Sequence, residues 1–133
     1  MAFATRTIRD DDIPSGSGSA GGTVVVHFDH SSDSATTAAA LDASGLSGHA
    51  NGAKLSITRA WWGLAGSVEI QFKGASSDTH AIRLAGTGSY TAGPAIQNGA
   101  TNTTATSGDI ETVAAAATGF IILELRKDAS FTA

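Results

Sequence analysis

The sequence predicts an all-β domain, an antiparallel β-sandwich carrying a flexible or extended N-terminal arm, and three observations lead there. Short runs of alternating apolar and polar residues recur from Thr23 onward. Gly- and Ser-rich turns separate those runs at the spacing of a sandwich or barrel. The chain is also light, 13.3 kDa over 133 residues, because Gly, Ala, Ser and Thr dominate it, which leaves a small core for the larger apolar residues to fill.

Residues 1–22 read as an arm and residues 23–133 as the β-domain. In the arm, Arg6, Arg9 and the run Asp10-Asp11-Asp12 precede Pro14, and the following SGSGSAGG has a linker composition with no side chain large enough to fix it. Thr5 to Arg9 remains able to pair as an edge strand.

Each element of the domain then has its own signal. Val24, Val26 and Phe28 alternate with Val25, His27 and Asp29, giving a strand with one apolar face. The Ala-rich TTAAALDASGL favours a helix by propensity, yet Thr37, Ala39, Leu41 and Ala43 fall on one side at period two, so it reads as a strand. KLSITRAWW places Leu55, Ile57, Arg59 and Trp61 on one face and Ser56, Thr58, Ala60 and Trp62 on the other. GLAGS is expected to turn a hairpin into SVEIQFK, where Val68, Ile70 and Phe72 alternate with Glu69, Gln71 and Lys73. Ile82 and Leu84 share a face of HAIRLAG, and the stretch from Gly86 to Gly108 is too long for an ordinary connection. DIETV and GFIILELRK complete the pattern, the latter apolar enough to sit centrally, with Lys127 and Asp128 marking its exit to solvent.

Composition excludes several kinds of chemistry. With no cysteine there are no disulfides, no thiolate metal ligands and no thiol nucleophile. The longest strongly apolar run, Gly119 to Leu125, is far below the roughly 20 residues of a membrane-spanning helix, and MAFATRTIRDDD carries no apolar core of a secretory signal. A soluble chain without an export signal is expected. Net charge is −4, with basic residues spread singly, which argues against a nucleic-acid footprint.

The densest cluster of chemistry-bearing side chains is His27-Phe28-Asp29-His30-Ser31-Ser32-Asp33. His27 and Asp29 share a strand face about 7 Å apart, and His30 and Asp33 would have to bend back from the turn to complete an oxygen and nitrogen metal site. A solvated strand face ending in a turn is the favoured reading. No catalytic residue, no metal and no cofactor are assigned: there is no G-x-S-x-G elbow, phosphate loop or H-E-x-x-H. Trp61 and Trp62 are more informative, because adjacent strand residues point to opposite faces and only one of the pair enters a given core layer. The other is a contact anchor for a protein or a sugar ring, or lies under a loop, and Arg59 accompanies Trp61.

The block Leu55-Ser56-Ile57-Thr58-Arg59-Ala60-Trp61-Trp62, the strand Val68 to Phe72, Gly108-Asp109-Ile110 and Ile121 to Lys127 resemble a family of small virion proteins of tailed bacteriophages, many of marine bacteria. They are similar to capsid decoration, or cement, proteins. The resemblance covers roughly Thr23 to Lys127, and the chain departs from it in the Ala-rich segment and the long arm. It implies a non-enzymatic structural protein on the outer capsid surface of a virion assembled in the host cytoplasm. Its partners would be the major capsid protein and further copies of the chain, as a homotrimer, with no nucleic acid or membrane partner.

The expected fold is thus an antiparallel β-sandwich of jelly-roll type. The expected contact residues are Arg6 and Arg9 on the arm and Arg59, Trp61 and Trp62 on the central strand, facing the capsid or a neighbouring subunit. The alternative is a carbohydrate- or receptor-binding β-module of a phage tail or fibre.

Overall fold

The computed structural model describes residues 2–13, 21–74, 77–99 and 108–131. Pro14 with the Ser/Gly linker that follows it, Ala75 and Ser76, and the polar stretch after Gly99 lie outside them. Antiparallel β-strands make up most of the described residues, with almost no helix. The strands are β1 (Ala2–Asp10), β2 (Thr23–Asp33), β3 (Thr36–Leu41), β4 (His49–Phe72), β5 (Thr79–Tyr90) and β6 (Ile110–Phe131), with one short 3-10 turn at Ala43–Gly45. They form one six-stranded sheet in the order β1-β2-β6-β4-β5, and β3 pairs with β6 beside β2.

Two of these strands are far longer than the pattern of turns implied. GLAGS does not reverse the chain: it lies inside β4, whose 24 residues run through it without a hairpin. DIETV and GFIILELRK likewise join through AAAATG into the 22-residue β6. The Gly and Ala residues in these segments bend the strands instead of ending them. The register shifts at Leu64/Ser67 on β4 against β5, at Ala65/Ser67 on β4 against β6 and at His30/Asp33 on β2 against β6. Positive φ angles mark the same line across the sheet: Ser32 (48°) on β2, Ala116 (48°) and Gly119 (140°) on β6, Gly66 (80°) on β4 and Gly86 (63°) on β5. Bulges at one level on neighbouring strands fold a sheet along a line.

On one side of this line β6 pairs with β2 and with the first part of β4; on the other it pairs with β3 and with Ser67 to Phe72. Inward residues of both halves, including Val24, Val26 and Phe28 on one and Val68, Ile70, Phe72 and Ile110 on the other, join a single apolar core.

Close backbone contacts explain two of the glycines. A Cβ on Gly66 would collide with the carbonyl oxygens of Ala115 and Ala116, and one on Gly119 would collide with the Gly63 carbonyl oxygen. Only glycine lets β4 and β6 approach so closely where they bend.

Residues 2–10 are not a free arm. β1 pairs with β2 from Ala2↔Ser31 to Asp10↔Val24, so the expected edge strand over Thr5 to Arg9 forms and extends in both directions. Beyond it the Asp11 amide donates to the Thr23 carbonyl (3.0 Å), and Ile13 is buried in the core.

Lys127 holds this end of the chain. Its side chain is wholly buried, so it does not mark an exit to solvent, and β6 continues past it. The ammonium donates to Asp10 Oδ1 (2.6 Å), to the Asp11 carbonyl (2.6 Å) and to the Ser47 carbonyl (2.8 Å). Ser47 closes the knot, its amide donating to Asp10 Oδ2 (2.7 Å) and its hydroxyl to Asp12. The Lys127 backbone also exchanges hydrogen bonds with Gly21 and Gly22. Ile13 and Gly21, on either side of the Ser/Gly linker, are therefore both fixed to the domain.

The Ala-rich segment is a strand, as its period suggested, but not with the expected face. Thr37 pairs with Thr112 and Leu41 with Ile110, with a register shift between them that leaves Ala39 exposed and Ala40 buried.

Candidate functional site

Four of the five expected contact residues share the outward face of the half-sheet that contains β1. A bulge decides this. Between Ile57↔Leu125 and Arg59↔Glu124 the register of β4 against β6 shifts by one residue at Thr58. Leu55 and Ile57 are inward and fully buried before it; Ala60 and Leu64 are inward after it, and Arg59 and Trp61 turn outward. Strict alternation placed Arg59 and Trp61 with Leu55 and Ile57, and the bulge reverses that assignment.

Trp62 is therefore the inward tryptophan. It packs against the core, its Nε1–H donates to the Ala85 carbonyl (3.1 Å), and its indole lies over Gly88, where a Cβ would come within 2.8 Å of the ring. Trp62 is partly buried and does not share the outward face of Arg59 and Trp61.

The outward face is built in cross-strand rows. Arg6, His27, Ile122, Trp61 and Ser89 are successive partners on β1, β2, β6, β4 and β5. Arg9, Val25, Glu124 and Arg59 form the row on one side of it, and Ala4, Asp29, Phe120, Gly63 and Thr87 the row on the other. From Arg6 to Trp61 is three strand spacings, about 14 Å. Phe120, 39% exposed, lies over Gly63 and stacks on His27 with ring centroids 6.4 Å apart at 16°. The centre of the face is thus aromatic and aliphatic, contributed by His27, Phe120, Ile122 and the half-buried Trp61.

Charges rim this centre. Arg9 makes a bidentate contact with Asp11, Nε to Oδ1 at 2.9 Å and Nη2 to Oδ2 at 2.6 Å, which holds the Asp11 carboxyl below its ordinary range. Arg59 Nε lies 3.6 Å from Glu124 Oε1, and that oxygen also accepts from Thr58 Oγ1 (2.9 Å). Arg126 pairs with Asp128 at 2.5 Å. Arg6 is exposed and has no carboxylate within ion-pair distance among the described residues.

The outward face of the other half is different in kind. Glu69 holds His80 Nδ1 at 2.6 Å and Arg83 at 3.5 Å, and the hydrogen bond from His80 is the main reason its carboxyl sits below the usual range. Beside it Lys73 lies 3.5 Å from Glu111 and 3.7 Å from Asp78. Among the described residues this face is rich in charge and carries no exposed large aromatic residue.

The side chains of residues 27–33 are divided by the sheet. His27 and Asp29 face outward, whereas His30 and Asp33 face inward, fully buried, with His30 Nδ1 2.8 Å from Asp33 Oδ2. Asp33 Oδ1 accepts from the Ala35 amide (3.0 Å), and the Phe3 ring meets the imidazole edge-on at 5.0 Å. The pair anchors the bulged end of β2, and no group of three or more potential ligands converges among the described residues.

Sequence reasoning put His27 on a solvated strand face but missed Phe120 and Ile122 as its neighbours on the outward face. Ile122 and Phe120 sit in an apolar run that reads as core on both sides, and only the pairing to Trp61 and Gly63 reveals their shared surface. No protein-family model matches the chain, and no curated protein or solved structure is significantly similar to it.

Proposed function

We propose that this chain is a non-enzymatic structural protein of a tailed bacteriophage, a capsid decoration or cement protein that binds the outer surface of the major capsid protein shell and stabilises the head. The observation that carries the reading is the outward face of β1, β2, β6 and β4, which gathers Arg6, Arg9, Arg59 and Trp61 around Phe120 and Ile122. An apolar, aromatic centre within a polar, arginine-containing rim is the usual anatomy of a protein-docking surface. The resemblance of the strand segments to cement proteins supplies the identity of the shell, and a jelly-roll type of sandwich would be its scaffold.

In this reading the protein self-associates as a homotrimer, and many copies on one head turn modest contacts into strong retention through multivalency. It acts on the virion surface after assembly in the host cytoplasm. The arm contributes as a fixed strand, β1, that presents Arg6 on the docking face, and not as a swinging tether. Sedimentation with bare heads of the encoding phage tests the reading: the protein should saturate the heads and raise their disruption temperature, and failure to bind would end it.

The partly exposed Trp61 also suits a carbohydrate- or receptor-binding module of a tail or fibre, because a sugar ring stacks on such a platform. Glycan binding lost on Trp61→Ala, with the protein located on the tail, would favour that alternative.

A further inference from the structure

Four of the chain's five arginines, Arg6, Arg9, Arg59 and Arg126, lie on the docking half-sheet, and three of them have a carboxylate within 4.0 Å on the same surface. Arg9 is occupied by Asp11, Arg59 by Glu124 and Arg126 by Asp128. A guanidinium already paired in its own chain offers a partner little new attraction, because forming a second pair breaks or shares the first. Arg6 is the exception. It sits on the edge strand at the end of the row that runs through His27 and Ile122 to Trp61, exposed and without an ion pair among the described residues.

The acidic residue nearest to it by register is Asp29, one row along on the neighbouring strand opposite Ala4. That carboxylate is also exposed, and the two side chains stand apart by more than an ion-pair distance. The free charges of the face are therefore one guanidinium at its β1 edge and one carboxylate beside it, against an otherwise internally neutralised rim.

We infer that Arg6 is the specificity-determining charge of the docking face, and that the partner is a protein surface that places a single carboxylate over Arg6 and an apolar side chain over Phe120 and Trp61. This rests on the reading of the face as a protein-docking surface and names the chemistry of what docks there. A carboxylate reaching Arg6 beside an aromatic surface is partly shielded from water, where a charge-assisted bidentate contact is strongest. Asp29 then acts against the partner's carboxylate and sets the register by repulsion.

Binding of the full chain to bare heads, measured by sedimentation across a salt series, tests this with four exposed-site variants. Arg6→Glu is expected to weaken binding at least tenfold and to flatten its salt dependence, whereas Arg9→Gln and Arg59→Gln, whose guanidinium charges are already held by Asp11 and Glu124, weaken it by a clearly smaller factor. Asp29→Asn is expected to leave affinity unchanged or to raise it. Circular dichroism and thermal midpoints should show all four folded like the parent. If the parent binds and Arg6→Glu binds equally well, or if all three arginine variants lose affinity alike, the inference is wrong while the docking reading stands. If the parent does not bind heads at all, it is the docking reading that fails.

Discussion

The ammonium of Lys127, wholly buried near the end of β6, donates to the carboxylate of Asp10 at the end of β1, 117 residues earlier in the chain. With the Asp11 and Ser47 carbonyls it ties the first strand, the last strand and the turn before β4 into one knot. Lys127→Met removes the donor and leaves a carboxylate and two carbonyls without it. Because Asp10 is about a quarter exposed, the loss is expected at about 2–4 kcal/mol, somewhat below that of a fully buried pair. Urea denaturation measures it, and a change under 1 kcal/mol would show that the knot contributes little.

The same knot changes what removing the arm would do. A chain lacking residues 1–22 loses β1, the Asp10 partner of Lys127 and the buried Ile13. It is expected to be strongly destabilised or insoluble, and a truncated protein that melts within 2–3 °C of the parent would contradict the structural role given to β1. Point variants, not deletion, are the means of testing contact by this segment.

The fold line across the sheet has its own signature. Gly66→Ala and Gly119→Ala drive a Cβ into backbone oxygens at positive φ, and each is expected to cost about 3 kcal/mol or more. Ala116, at φ 48°, is strained in the opposite sense. Ala116→Gly relieves roughly 1 kcal/mol of left-handed strain but gives back about 0.5–1 kcal/mol of unfolded-chain entropy. Thermal melts should therefore place it level with the parent or slightly above, in contrast to the two Gly→Ala changes.

Thr112 is completely buried, and its hydroxyl has no hydrogen-bond partner among the described residues. It faces Ile70 on β4 and Thr37 on β3. Thr112→Val keeps the shape and removes the unsatisfied group, and is expected to stabilise the fold by about 1 kcal/mol. A lower midpoint than the parent would mean that the hydroxyl is satisfied in solution.

Burial pushes the Asp109 carboxyl up to about 6, with Asp42 adding to the effect and the Ala43 amide and Lys73 opposing it. Glu111 is raised too, by burial and by its hydrogen bond with Asp78. The folded chain then binds these protons more tightly than the unfolded chain. Their contribution to stability is complete below the ordinary carboxyl range and is lost as pH rises above it, for Asp109 through about 6. Asp109→Asn retains an acceptor for the Ala43 amide and removes this titration. Between pH 4 and 7 its stability should fall less steeply than the parent's, by at most about 3 kcal/mol over the interval. Identical slopes for the two proteins would refute the assignment.

Much of the β-structure was legible in the sequence, because two-residue alternation reports directly which side chains share a face. Val24, Val26 and Phe28 on β2 and Val68, Ile70 and Phe72 on β4 are inward as the pattern indicated. What alternation does not report is a bulge. One extra residue at Thr58 inverted the faces of Arg59, Trp61 and Trp62, and the glycines of GLAGS, which equally mark turns and bends, concealed that β4 is one strand. Lys127 was misread for a related reason: a lysine after an apolar run ordinarily signals solvent, and its acceptors on Asp10, Asp11 and Ser47 lie far away in sequence. Arg6, Arg9, Arg59 and Trp61 were individually recognisable as contact candidates, but their common surface depends on the order β1-β2-β6-β4, which no local pattern encodes.

Electron cryomicroscopy of the purified virion tests the proposed function most directly. Density for this chain is expected on the outer surface of the capsid, with the face bearing Arg6, Phe120 and Trp61 against the shell and the charged face of Glu69, Arg83 and Lys73 toward solvent. Density confined to the tail, or a capsid-bound molecule with those two faces exchanged, would contradict it.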